Sequence, residues 1–153
     1  MKVTAVIPSR YGSTRLGGKP LALIAGVPMI QRVYERVART PDITDIAVAT
    51  DDQRIIDAVQ NFGGRALMTS GKCRTGSDRV ALAAEALGLA PEDVVVNIQG
   101  DQPLIHPETI TATIRPLLQS TAVEMTTAAF AIVDKQEITN PKDVKVVFDN
   151  RGQ

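Results

Sequence analysis

The sequence predicts an α/β fold of three layers, α/β/α, around a mostly parallel sheet. Short Val/Ile/Ala-rich runs recur along the chain, and helical patterns stand between them. The runs are almost continuously apolar, as strands buried on both faces of a parallel sheet must be. Polar, glycine-containing segments follow the runs at their carboxyl ends. With 153 residues, 44% of them hydrophobic and 22% charged, the chain is expected to form one domain over residues 1–153.

The first strand is expected at Val3–Ile7. Met29, Ile30, Val33 and Val37 then recur at helical spacing after Pro28, which suits a first turn. Asp45–Thr50 reads as the second strand. Ile55, Ile56, Val59 and Phe62 form the stripe of a second helix, stopped by Gly63-Gly64. A third strand, Arg65–Met68, precedes a third stripe of Val80, Ala83, Ala84 and Leu87, stopped by Gly88. Asp93–Ile98 is the fourth strand. Pro107 opens a further helix that Pro116 is expected to end or kink. Met125–Val133 and Val144–Phe148 read as strands with an Asn140-Pro141 turn between them. Asp149-Asn150-Arg151-Gly152-Gln153 then reads as a hairpin turn without a returning strand, so the fold is expected to end in an incomplete β-hairpin, as in a truncated product.

Charge composition narrows the partners. Lys plus Arg equals Asp plus Glu at 17 each, so nothing global points to nucleic acid or to anionic membrane. No apolar run approaches the ~20 residues that span a bilayer, and the N-terminus reads as a strand rather than a signal segment. Cys73 is the only cysteine, so no intramolecular disulfide can form. A cytoplasmic protein with no nucleic-acid partner and no membrane insertion is expected, with Cys73 a spectator thiol. His106, the only histidine, has no neighbour in sequence to orient it as a base and is expected to be structural or exposed.

The strongest chemical signal is the loop from Pro8 to Pro20. Gly12, Gly17 and Gly18 let backbone N–H groups approach an anion, Ser9, Ser13 and Thr14 offer hydroxyls, and Arg10, Arg15 and Lys19 supply charge. These are the parts of a polyphosphate cradle. It is neither a G-x-G-x-x-G turn nor a P-loop, because Ser13 and Pro20 break the P-loop pattern. At the second strand end, Asp51 or Asp52 caps a helix or binds a ligand. At the third, Thr69 to Arg79 offers hydroxyls before a helix, with Arg74 or Arg79 able to fork onto a base edge and Ser77 or Asp78 able to cap. At the fourth, a tight glycine turn presents Asp101 where it suits Mg²⁺. Four such loops are expected to converge on one crevice.

The segments IPSRYGSTRLGGKPL, PMIQRVYERV, IAVATDD, TGSDRV, VVVNIQGDQP and NPKDVKVV span the chain. Together they resemble the 3-deoxy-manno-octulosonate (Kdo) cytidylyltransferases within the sugar nucleotidyltransferase family, the first and fifth being specific. The resemblance implies a nucleotide-diphospho-sugar transferase-like core, CTP and Kdo as substrates, and Mg²⁺ as cofactor. It further implies CMP-Kdo made for lipopolysaccharide and a homodimer at full length. On this reading Arg10, Arg15, Lys19 and Asp101 are the catalytic set, the cations gripping the triphosphate and Asp101 holding the metal. Pro8, Ser9, Gly12 and Ser13 line the nucleotide with Arg74, Thr75, Gly76, Ser77 and Arg79, and Gln99 lies beside the sugar. Gln102 stands where the family pattern Q-G-D-E-P has a glutamate.

Family members continue past Gln153 through the return strand, most sugar-binding residues, a second metal-binding aspartate and the dimer surface. The chain is therefore expected to be the CTP-binding part of a longer enzyme. Alternatives are a cytidylyltransferase for 8-amino-Kdo or sialic acid, a catalytically incomplete nucleotide-binding module, or an incompletely folded fragment.

Overall fold

The computed structural model describes residues 1–12, 17–141 and 143–149. The elements in chain order are β1 (Val3–Ser9), a 3-10 turn at Lys19–Leu21, β2 (Leu23–Ile24), β3 (Val27–Pro28), α1 (Met29–Val37) and β4 (Asp45–Thr50), followed by α2 (Gln53–Asn61), β5 (Ala66–Met68), α3 (Gly76–Ala86), β6 (Val94–Asn97), α4 (Pro107–Gln119) and α5 (Lys135–Thr139). Four strands form one parallel sheet in the order β5-β4-β1-β6. The chain builds outward from β1 to β5, then returns to lay β6 on the other side of β1. That reversal places a topological switch point between β1 and β6, and open α/β sheets bind ligands outside the carboxyl ends of such a pair.

β1 is central, and its alternate residues feed two cores. Val3, Ala5 and Ile7 pack with Ile30, Val33 and Val37 of α1, Ile55 and Val59 of α2, and Ile110 and Ile114 of α4. Val6 and Ala49 turn the other way and meet Val80 and Ala83 of α3. Sheet and helices thus make the three layers that the sequence predicts. The stripes expected for the first three helices supply their buried faces, although Phe62, the C-cap of α2, and Ala84 and Leu87 are only half-buried.

The element boundaries fall close to expectation, with β1 running two residues further, to Ser9. Pro28 is the N-cap of α1 rather than a first-turn residue, whereas Pro107 does open α4. Pro116 does not end α4: the helix continues to Gln119, and Ser120 N–H bonds the Pro116 carbonyl at 3.1 Å. A proline removes only its own donor, and the turn that follows it can still close.

The clearest correction concerns the C-terminal region. Met125–Val133 and Val144–Phe148 do not form strands, and among the described residues no sheet ladder joins them to a neighbour. Apolar, β-branched composition supplies propensity, but a strand exists only where a partner edge completes its hydrogen bonds. Met125, Phe130, Val133 and Val144 are left largely exposed. Residues 124–128 instead help to wall a cavity of about 530 Å³ beside β6 and α4. The expected turn at Asn140-Pro141 is present, with Asp143 N–H on the Asn140 carbonyl at 3.2 Å. Most of the terminal turn lies outside the described residues.

Candidate functional site

Three loops meet at the end of β1, and one of them carries glycine where a side chain would crowd the strand. A Cβ on Gly100 would stand 3.1 Å from the Pro8 carbonyl oxygen and 3.4 Å from Ser9 Oγ. A side chain there would push the turn after β6 a few tenths of an ångström away from β1. A Cβ on Gly76 would stand 3.5 Å from the Pro8 ring, so the N-terminus of α3 rests on the same residue. Helix N-termini carry free N–H groups and a positive partial charge, and both favour an anion.

Across this junction the β1 loop and the β6 turn touch directly. Lys19 Nζ donates to Asp101 Oδ2 at 2.6 Å, with the two side chains 40% and 50% exposed. An ion pair that open to water adds little to stability, and both groups stay available to a ligand. Arg10 is exposed, and its Nη2 bonds the Arg74 carbonyl at 3.4 Å, tying the first loop to the third. Ser9 is 5% exposed, and its Oγ has no hydrogen-bond partner among the described residues. An unsatisfied buried hydroxyl costs about 1–3 kcal/mol, which a ligand oxygen at this junction would offset.

The third loop is organised by a capping box. Thr75 Oγ1 accepts from Asp78 N–H at 3.1 Å, while Asp78 Oδ2 accepts from Thr75 N–H at 2.9 Å and from Arg74 N–H at 3.0 Å. The cap is therefore Thr75, with Asp78 reciprocating, rather than Ser77 or Asp78 alone. Those bonds, led by the Thr75 backbone N–H, hold the Asp78 carboxyl below the usual carboxylate range. Arg74, Thr75 and Ser77 remain exposed.

Arg79 is placed differently from the expectation of a free donor. It is 2% exposed, and its guanidinium bonds Asp51 Oδ2 at 2.8 Å and Thr69 Oγ1 at 2.5 Å. Thr69 in turn bonds the Thr50 carbonyl at 3.1 Å through its hydroxyl. Arg79 thus braces the second loop against the third from beneath the surface. Asp52 takes the capping role, accepting from Arg54 N–H at 3.0 Å.

Gln99 is exposed at the edge of the cavity beside β6, its Nε2 on Asn97 Oδ1 at 3.4 Å, and Gln102 lines the same cavity. Asp101 is a single carboxylate: among the described residues no group of three or more His, Cys, Asp or Glu side chains gathers to hold a metal. His106 is exposed at the N-cap of α4, 3.9 Å from Glu108. Cys73 is half-buried and free. Ser13, Thr14 and Arg15 lie outside the described residues.

One residue near the site escapes the motif reading altogether. Arg54 lies in the first turn of α2, and its Cζ stands 3.3 Å from the centroid of the Tyr11 ring. Its Nε and Nη2 bond the two Asp52 oxygens at 2.8 and 2.6 Å. No sequence signal joins Arg54 to a loop that far upstream; only the packing of α2 beside the turn at Lys19–Leu21 does so.

Comparison with known proteins gives a consistent picture. A family model described as Cytidylyltransferase matches residues 4–153. The chain is 69% identical over 152 residues to a 3-deoxy-manno-octulosonate cytidylyltransferase of Desulfosudis oleivorans, covering 99% of this chain and 61% of that protein. It is 53% identical over 152 residues to an 8-amino-3,8-dideoxy-manno-octulosonate cytidylyltransferase of Shewanella piezotolerans, covering 98% of this chain and 62% of that protein. Among solved structures, CMP:2-keto-3-deoxy-manno-octonic acid synthetase complexed with CTP superposes with a TM-score of 0.74 at 42% identity, covering 80% of this chain and 50% of that one. The chain spans about three-fifths of the length of the curated relatives it matches.

Proposed function

The chain belongs to the cytidylyltransferase family, and from that premise we propose that the protein carrying it transfers the cytidylyl group of CTP to Kdo, giving CMP-Kdo and pyrophosphate. The observation that carries this reading is the meeting of Lys19 and Asp101 at 2.6 Å outside the carboxyl ends of β1 and β6. A phosphate-seeking cation and a metal-suited carboxylate can serve one triphosphate only if they face one crevice. Kdo as acceptor ties the protein to lipopolysaccharide biosynthesis, and a cytoplasmic homodimer belongs to the same proposal. Among the described residues no helix is long and apolar enough to cross a membrane.

The donor set at Asp101 suits Mg²⁺, which takes one or two protein carboxylates and completes its shell with phosphate oxygens and water. Asp101 would hold the ion, and the ion when bound would neutralise phosphate charge. The remaining work falls to the chain itself. Lys19, exchanging Asp101 for phosphate, and Arg10 take up the charge that builds on departing pyrophosphate. Ser9 Oγ and the α3 N-terminus at Gly76 supply donors to the phosphates, while Thr75, Ser77 and Arg74 line the nucleoside. Arg15, Gly12 and Ser13 complete the cradle in this proposal, and Gln99 stands beside the sugar. The anomeric hydroxyl of Kdo attacks the α-phosphorus and pyrophosphate leaves, a step that needs alignment rather than a protein nucleophile.

The Shewanella relative favours one second reading, in which the acceptor is the 8-amino analogue of Kdo. Both are tested by pyrophosphate release from CTP and Mg²⁺ with each sugar acid, using the protein at full length. Faster release with Kdo supports the main reading and faster release with the 8-amino sugar supports the second. Failure to release pyrophosphate with any 3-deoxy-ulosonic acid overturns both. For the 153-residue chain, calorimetric binding of CTP without turnover is the outcome expected of a nucleotide-binding part.

A further inference from the structure

We propose that Arg54 is a positioning residue for the polyphosphate loop: held by Asp52, its guanidinium clamps the Tyr11 ring and thereby fixes the backbone that presents Arg10 and Lys19. The inference rests on the nucleotide-binding reading of that loop and adds a group outside it. The loop is closed at its base where Gly18 N–H donates to the Tyr11 carbonyl at 2.9 Å. Gly18 has φ +69°, and a Cβ there would stand 3.0 Å from Tyr11 Cζ and Oη. The ring is therefore packed onto the backbone of Gly18 itself. Tyr11 follows Arg10 and Gly18 precedes Lys19, so whatever holds this ring holds the chain at both cations.

Arg54 holds it. With Cζ 3.3 Å from the ring centroid, the guanidinium is in van der Waals contact with the π face. Its orientation is set from behind, because both Asp52 oxygens accept from it at 2.8 and 2.6 Å. Asp52 is itself fixed as the N-cap of α2, so the clamp is mounted on a helix rather than on another loop. The two-point bond explains why the residue is arginine: lysine could neither stack nor lock its plane. Asp52 also solves an electrostatic problem. A fourth cation beside Arg10, Arg15 and Lys19 would add to a loop already crowded with positive charge, and the carboxylate cancels it. The hydrogen bonds from Arg54 hold the Asp52 carboxyl below the usual range.

The test uses R54A, R54K, Y11L and Y11F in the 153-residue chain, with two readouts. The first is hydrogen exchange of the Gly18 amide, read against core amides of β1 that report intact folding. The second is calorimetric affinity for CTP compared with that for cytidine. R54A, R54K and Y11L should speed Gly18 exchange and weaken CTP binding about two- to five-fold, with cytidine affinity unchanged. Y11F keeps the ring and should match the parent in both, and R54A/Y11L should be no worse than either single change. Parent-like Gly18 exchange in R54A overturns the clamp, as does an equal loss for CTP and cytidine. A parent chain whose β1 amides are protected yet binds no CTP overturns the nucleotide reading instead, and Gly18 exchange alone then decides whether the clamp exists.

Discussion

Lys19 and Asp101 carry opposite expectations for binding and for stability. Their pair is half-exposed, so breaking it should change stability by less than about 1 kcal/mol. Losing a charge-assisted contact to phosphate, by contrast, removes about 1.5–3 kcal/mol. Lys19→Ala is therefore expected to weaken CTP binding roughly 10- to 100-fold by calorimetry, with an unchanged melting temperature. Asp101→Asn should flatten the dependence of CTP affinity on Mg²⁺ concentration. Arg79 behaves in the reverse manner, being 2% exposed with its charge answered by Asp51. Asp51→Ala leaves a buried guanidinium uncompensated and should destabilise the chain by about 3–5 kcal/mol in urea titrations. Sequence alone could rank Arg74 and Arg79 only as equals. What separates them is helical phase: Arg79 shares its inward face with Val80 and Ala83, while Arg74 precedes the helix.

The small hairpin of β2 and β3 shows where element-level reading runs out. Its two-residue turn places Ala25 at φ 49° and Gly26 at φ 77°, a pair of left-handed residues that Asn-Gly announces and Ala-Gly does not. Arg32 holds the turn from α1, with Nη2 on the carbonyls of Ile24 at 3.1 Å and Ala25 at 3.3 Å. Because asparagine tolerates this backbone better than alanine, Ala25→Asn should stabilise the chain by about 0.5–1 kcal/mol, read as a rise in melting temperature. Elements with a continuous apolar run and a helical partner, such as β4, were legible because burial on both faces leaves one solution. Met125–Val133 has similar composition yet forms no strand, since pairing depends on a neighbouring edge that composition cannot report. The meeting of the loops after β1 and β6 was legible for a related reason: polar glycine loops after such strands gather at one end of a parallel sheet.

At the scale of the whole molecule, Asp52, Asp78 and Asp93 among the described residues link folding to pH. Asp52 is lowered chiefly by the Arg54 side chain, Asp78 by the Thr75 backbone, and Asp93 by the Lys2 backbone N–H, which it accepts at 2.6 Å. A carboxyl lowered by folding binds fewer protons in the folded chain than in the unfolded one, so stability rises with pH across that interval. Their contribution is complete above the ordinary aspartate value of about 3.9 and disappears as pH falls through the lowered values. These groups should leave the melting temperature flat from neutrality to about pH 5 and make it fall below about pH 4. Thermal scans across that range check it.

The placement of β6 beside β1 also sets an order of assembly. Val3 meets Thr44 across 41 residues, whereas Lys2 meets Asp93 across 91. Because synthesis runs from the N-terminus and distant contacts close late, β1 can pair with β4 while β6 is still unmade. A growing chain therefore displays its cationic loop before the carboxylate that will answer it exists. The meeting of the β1 and β6 loops is the closing event of this core, and a ligand spanning Lys19 and Asp101 would act as a latch on its last strand.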